Sequence, residues 1–213
     1  MLLTESTSIK NRLHEALKEK LPGEGTHRLM LPVGRALYPE PGETMIIQSG
    51  VLMLIFPYSG KIHTCLIRRP STMRNHGGQI AFPGGRYEPA DTDLIQTALR
   101  ESFEEIGTDK DQIEIIGALS PLYIQVSNFK IYPFIGWCDK LPDFKTDKSE
   151  VDELFKIPVE TIFHPTTFQT KSVITARGTF EAPGFYIEPL FIWGATAMVL
   201  SEFKEVYRSA MER

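Results

Sequence analysis

An α/β sandwich is the fold class this sequence predicts, and three observations predict it. Apolar and polar residues alternate through Val51–Tyr58 and Lys61–Arg68, the two-residue period of half-buried strands. Longer segments, Thr7–Leu21 and Thr196–Glu212 among them, carry the 3.6-residue period of helices with one apolar face. Strand and helix patterns then interleave along the chain rather than falling in separate blocks.

The elements follow in order. Ile9, Leu13, Ala16, Leu17 and Leu21 make one stripe over Thr7–Leu21, and Pro22-Gly23 ends that helix. Its mixed charges suit docking on the domain or on a partner subunit rather than on a membrane, so a homodimer is one assembly to expect. Glu24–Ser49 is rich in proline and glycine and reads as a linking arm. The two alternating runs that follow form a hairpin closed at Ser59-Gly60. Ile113–Leu119, Ile131–Trp137 and Phe185–Ile187 are further strands, and Pro158–Ile162 is a short helical turn. Thr196–Glu212 closes the fold with Met198, Val199, Phe203 and Val206 inward.

Composition excludes several function classes. Hydrophobic content of 42% and charged content of 23% are those of an ordinary globular protein of 213 residues. A net charge of −4 argues against a bulk nucleic-acid footprint, although Arg68, Arg69 and Arg74 cluster locally. Cys65 and Cys138 fall in apolar runs and are expected as buried, reduced thiols. No run is apolar enough to span a bilayer and no signal peptide is evident, so cytoplasm is the expected compartment.

The chemistry concentrates between Phe82 and Gly107. Phe82-Pro83-Gly84-Gly85 ends a strand in a tight turn, after which Asp91 or Asp93 caps a helix that Gly107 stops. With roughly 100° between residues, Glu105 lies about 40° to one side of Glu101 and Glu104 about 60° to the other, so all three share a face. Ile95, Leu99, Phe103 and Ile106 fall opposite, as an expected core stripe, which leaves Glu105 open to a cleft. Like charges at this spacing repel, and a hard divalent cation is the simplest compensation.

This segment resembles the Nudix box, Gly-x5-Glu-x7-Arg-Glu-apolar-x-Glu-Glu-x-Gly-apolar, which Gly85, Arg100, Glu101, Glu104, Glu105 and Gly107 match. Asp91 replaces the first glutamate, eight residues rather than seven precede Arg100, and Ser102 and Thr108 stand at apolar positions. Upstream, Leu66–Gly85 resembles the signature of coenzyme A pyrophosphatases through Arg69, Arg74, Gly78 and Phe82 to Gly85, while Ile67, Arg68 and Pro70 depart from it. The resemblance implies the Nudix fold, a mixed sheet between helices, over residues 50–213, with 1–49 as an N-terminal helix and arm. It implies Mg²⁺ or Mn²⁺ on Glu101, Glu104 and Glu105, oriented by Arg100, with Gly84 and Gly85 admitting a diphosphate. Glu104, Glu150 or Glu153 is the expected general base, and Arg69 and Arg74 the expected phosphate contacts. The implied substrate is a small nucleotide of coenzyme A type; ADP-ribose or a dinucleotide is the alternative, and a binding-only domain the minor one.

Overall fold

The computed structural model describes residues 3–40, 42, 45–72, 76–175 and 178–212. Its main sheet runs in the order β3 (Ile80–Ala81), β2 (Lys61–Arg68), β1 (Ile47–Tyr58), β7 (Phe129–Trp137), β5 (Glu114–Ala118). Three strands join this path: β4 (Gly84–Arg86) pairs with β1, β6 (Leu122–Ile124) with β7, and β8 (Glu153–Pro158) with β2. β1 and β7 are parallel and the remaining pairs antiparallel, so the sheet is mixed. A second, three-stranded sheet has the order β11 (Leu190–Trp193), β10 (Gly178–Ile187), β9 (Phe168–Thr175).

Two apolar clusters cover the two faces of the main sheet. Leu52, Leu54, Phe56, Cys65 and Ile67 meet Ala98 and Ile106 of α3 (Leu94–Ile106) on one face. Met53, Ile55, Leu66 and Trp137 meet Leu13 of α1 (Leu3–Leu17) and Met198, Val199, Phe203 and Val206 of α5 (Gly194–Met211) on the other. Each such side chain, fully buried, contributes about 1.5–3 kcal/mol. The N-terminal helix therefore docks on its own chain, four residues earlier than its apolar stripe suggests.

The hairpin closes at Ser59-Gly60, both at positive φ, as a right-twisted two-residue turn requires. Two sequence expectations need correction. The supposed arm contains α2 (Glu24–Leu29) and the first residues of β1. Six residues including a glycine do not make a helix by propensity alone; α2 forms because His27 bonds to α5. The Ile95, Leu99, Phe103 stripe is not the buried face of α3 either: Phe103 is 62% exposed, and Thr97, Ala98, Ser102, Glu105 and Ile106 are buried. The reason lies on β1. A Cβ at Gly50 would sit 2.3 Å from the carbonyl oxygen of Leu94, so helix and strand backbones approach too closely for large side chains between them. Both cysteines are free and buried, and burial pushes the Cys138 thiol up to about 12.

Candidate active site

β4 and α3 frame the site. Asp93 caps α3 by accepting from the Gln96 N–H at 2.8 Å, and Gly107 ends the helix in the left-handed region, its N–H donating to Phe103 O. Asp91 instead engages Arg100. Its carboxylate accepts from Arg100 Nε at 2.9 Å and Nη2 at 3.1 Å, from Thr97 Oγ1 at 2.8 Å and from the Glu88 N–H at 3.0 Å. These bonds hold Asp91 down to about 2, with Arg100 the largest cause. Arg100 Nη1 also donates to Glu101 Oε1 at 3.0 Å and Glu104 Oε2 at 2.9 Å, and so links the loop to two of the three glutamates.

The two unusual polar residues of the helix end answer each other. Ser102 Oγ and Thr108 Oγ1 lie 2.7 Å apart, both buried, so each hydroxyl satisfies the other where a pair of apolar side chains would otherwise pack.

Glu105 is 2% exposed, not open to a cleft as the helical wheel suggests. Its Oε2 accepts from the Gly84 N–H at 2.9 Å, and Arg69 Nη1 lies 3.5 Å from Oε1. Burial raises its carboxyl to about 8, against the pull of Gly84 and Arg69, and the charges of Glu101 and Glu150 add to the rise. Burial likewise lifts Glu101; Arg100 opposes the shift while Glu104 and Glu150 reinforce it. Gly84 has φ +147°, and a Cβ at Gly85 would fall 2.3–2.4 Å from the Glu101 carboxyl group. Glycine is thus the residue that lets the β4 backbone meet both carboxylates.

The remaining candidates separate by strand parity. Glu153 pairs with Arg68 across β8 and β2, with Leu154 opposite Ile67 and Phe155 opposite Leu66. Ile67 and Leu154 belong to the α3 face and Leu66 and Phe155 to the α5 face, so Glu153 and Arg68 also face α5. Arg69 faces α3. Glu150, half-buried, is the downstream acid whose charge acts on Glu101 and Glu105. Its loop is stitched to the end of α3: Lys145 N–H donates to Ile106 O and Asp147 N–H to Glu105 O. Parity within a strand that the sequence does not announce is what separates Glu150 from Glu153. Arg74 lies outside the described residues.

Among the described residues no three His, Cys, Asp or Glu side chains converge as a ready-made metal centre. The donor set nevertheless fits a hard cation. Glu101 and Glu105 are carboxylates raised by burial on one helix, and oxygen ligands of this kind suit Mg²⁺ or Mn²⁺. Glu104, by contrast, is about half exposed and turned toward Arg100.

A glycine notch that receives the buried carboxylate of Glu105 and the partly buried one of Glu101 from a single helix, on a mixed α/β scaffold, suits a hydrolase of phosphoric anhydride bonds. The chain belongs to the NUDIX domain family, which it matches over residues 47–177. It is 32% identical over 137 residues to NudL of Pectobacterium atrosepticum, a Nudix hydrolase that is itself uncharacterized, covering 64% of this chain and 71% of NudL. Nudix hydrolase 3 of Caenorhabditis elegans is 29% identical over 168 residues, 71% of this chain and 70% of that protein. A MutT/nudix family protein from Enterococcus faecalis has the same fold, with a TM-score of 0.53 and 13% identity over 79% of this chain and 65% of its own. No helix among the described residues is long and apolar enough to cross a membrane.

Proposed function

We propose that this chain hydrolyses the diphosphate linkage of coenzyme A or its thioesters, releasing 3′,5′-ADP and 4′-phosphopantetheine or its acyl form. The observation that carries diphosphate hydrolysis is the pair of carboxylates, Glu105 buried and Glu101 partly buried, that one helix sets against Gly84 and Gly85. Coenzyme A as the substrate is supported by the resemblance of Leu66–Gly85 to the coenzyme A pyrophosphatase signature.

Glu101 and Glu105 would hold Mg²⁺ or Mn²⁺, with Glu104 as the further ligand of the same helix. When bound, such an ion neutralises phosphoryl oxygens and acidifies water. The chain's own residues do the rest. Arg100 fixes the rotamer of Glu101 through its bond to Oε1. Arg69 binds a phosphate oxygen from the α3 side of the sheet, and Arg74 is the second proposed phosphate contact. Glu150 accepts a proton from the attacking water at its carboxylate oxygen, as general base. The water oxygen bonds to phosphorus while the bridging P–O bond breaks, and the leaving phosphate keeps the electron pair. Glu153, beside Arg68 on the other face, takes no part in that transfer.

ADP-ribose or a dinucleotide is the second reading, kept open by the imperfect match to the upstream signature. Parallel turnover of coenzyme A, dephospho-coenzyme A, ADP-ribose and NADH with Mg²⁺ and with Mn²⁺ separates the two. We expect 3′,5′-ADP from coenzyme A. Cleavage of ADP-ribose or NADH alone would keep the hydrolase and discard the coenzyme A assignment.

A further inference from the structure

Arg68 and Arg69 are consecutive, yet the strand sends them to opposite faces. Arg69 lies 3.5 Å from Glu105 on the α3 face. Arg68 stands on the α5 face between its cross-strand partners, Ile80 on β3 and Glu153 on β8. Its guanidinium carbon lies 5.3 Å from the centre of the Phe155 ring. Arg100 makes five hydrogen bonds through its guanidinium. Arg68 makes none. Its Nε is one of three buried side-chain polar atoms without a partner among the described residues, the others being Arg12 Nε and Thr64 Oγ1. The nearest acidic oxygen, on Glu153, is 3.6 Å from Nη2, beyond hydrogen-bond reach.

A cation set over a ring keeps its N–H donors unsatisfied, because the ring supplies no strong acceptor. The Arg68 side chain is 36% exposed, so an acceptor can arrive from solvent. Three phosphate oxygens on one phosphorus match the fork in two-point geometry. Glu153 opposes that arrival. It is more than half exposed, and at this separation it is free to turn outward.

We propose that Arg68, backed by Phe155 and bordered by Glu153, is an anion subsite that takes a phosphate monoester which the substrate carries apart from its diphosphate. The identity of that substrate rests on the diphosphate-hydrolase reading above. With the diphosphate held on the α3 face, a ligand that also reaches Arg68 passes round the end of β2, so the second phosphate must be set off from the first two. Arg68 attracts it and Glu153 repels it. The two side chains therefore act on affinity with opposite signs.

Calorimetric titration of the full chain with 3′,5′-ADP and with 5′-AMP tests this, because the two probes differ by one phosphate monoester and contain no diphosphate linkage. Wild type should prefer 3′,5′-ADP. Arg68→Gln, which keeps the stem and a planar head over Phe155, should shrink that preference about tenfold, the scale of a charge-assisted contact. Glu153→Gln, at an exposed position, should widen it by about threefold. A preference unchanged in Arg68→Gln, one narrowed in Glu153→Gln, or none in wild type overturns the subsite. Since no turnover is needed, failure to cleave coenzyme A would count against the proposed substrate without deciding this result.

Discussion

Arg100 divides its guanidinium among Asp91, Glu101 and Glu104, and Asp91 takes the largest share. Asp91 closes the pair in spite of being a shorter acid at a longer spacing than the motif prescribes. Because its folded pKa is depressed to about 2 from 3.8, the ion pair stabilises the fold above about pH 4 and its contribution is lost as pH falls toward 2. Asp91→Asn should cost about 2 kcal/mol at neutral pH, the scale of hydrogen bonds to a charged group. Acid unfolding curves of variant and wild type should then converge only as pH falls to about 2. Glu105→Gln makes the complementary case. The amide oxygen can still accept from the Gly84 N–H, and no buried charge remains to desolvate. Melting temperature should stay level or rise while turnover falls by about a hundredfold or more, as when one electrostatic stabiliser is removed from an active site. Retention of a tenth of the activity would remove Glu105 from the machinery.

Helix α3 shows what a sequence reveals of an element and what it hides. The glycine turn, the cap at Asp93, the stop at Gly107 and the three glutamates were legible because they lie within one short stretch and obey local rules. Its buried face was not, since the close approach at Gly50 comes from a strand some fifty positions upstream and reverses the ordinary preference for large apolar residues. The Ser102–Thr108 pair was visible only as two departures. Ser102→Ala or Thr108→Val alone should destabilise by about 1–2 kcal/mol by orphaning the other hydroxyl, whereas the double variant should recover most of the loss. Urea unfolding of the three variants completes the cycle, and simple additivity would sink this account.

Across the whole molecule, Glu202 on α5 is the largest feature that sequence reasoning missed. It is fully buried, and its carboxylate accepts from His27 Nε2 at 2.9 Å, Gly23 N–H at 3.0 Å, Ser120 N–H at 3.1 Å and Ser120 Oγ at 2.6 Å. A glutamate inside an apolar helical stripe signals nothing until donors from two distant segments arrive. β9, β11 and most of β10 were hidden because their apolar residues do not alternate cleanly with polar ones. The hairpin, the closing helix and the mixed architecture were legible because each follows from its own period. Glu202→Leu should cost about 3 kcal/mol or more, because it orphans several buried donors at once, and should free α2 to exchange its amide hydrogens with solvent. Protection of α2 at wild-type level would show that other contacts hold it.

The same anchor sets the timing of folding. His27 and Ser120 are translated before Glu202, which follows His27 by 175 positions, so their bonds wait until α5 has been made. A nascent chain halted before α5 would already contain the glycine turn and every candidate glutamate of the site, with one wall of its core unbuilt. Contacts between such distant positions are closed late and slowly. The core behind the candidate site is therefore completed by a helix that supplies none of its carboxylates.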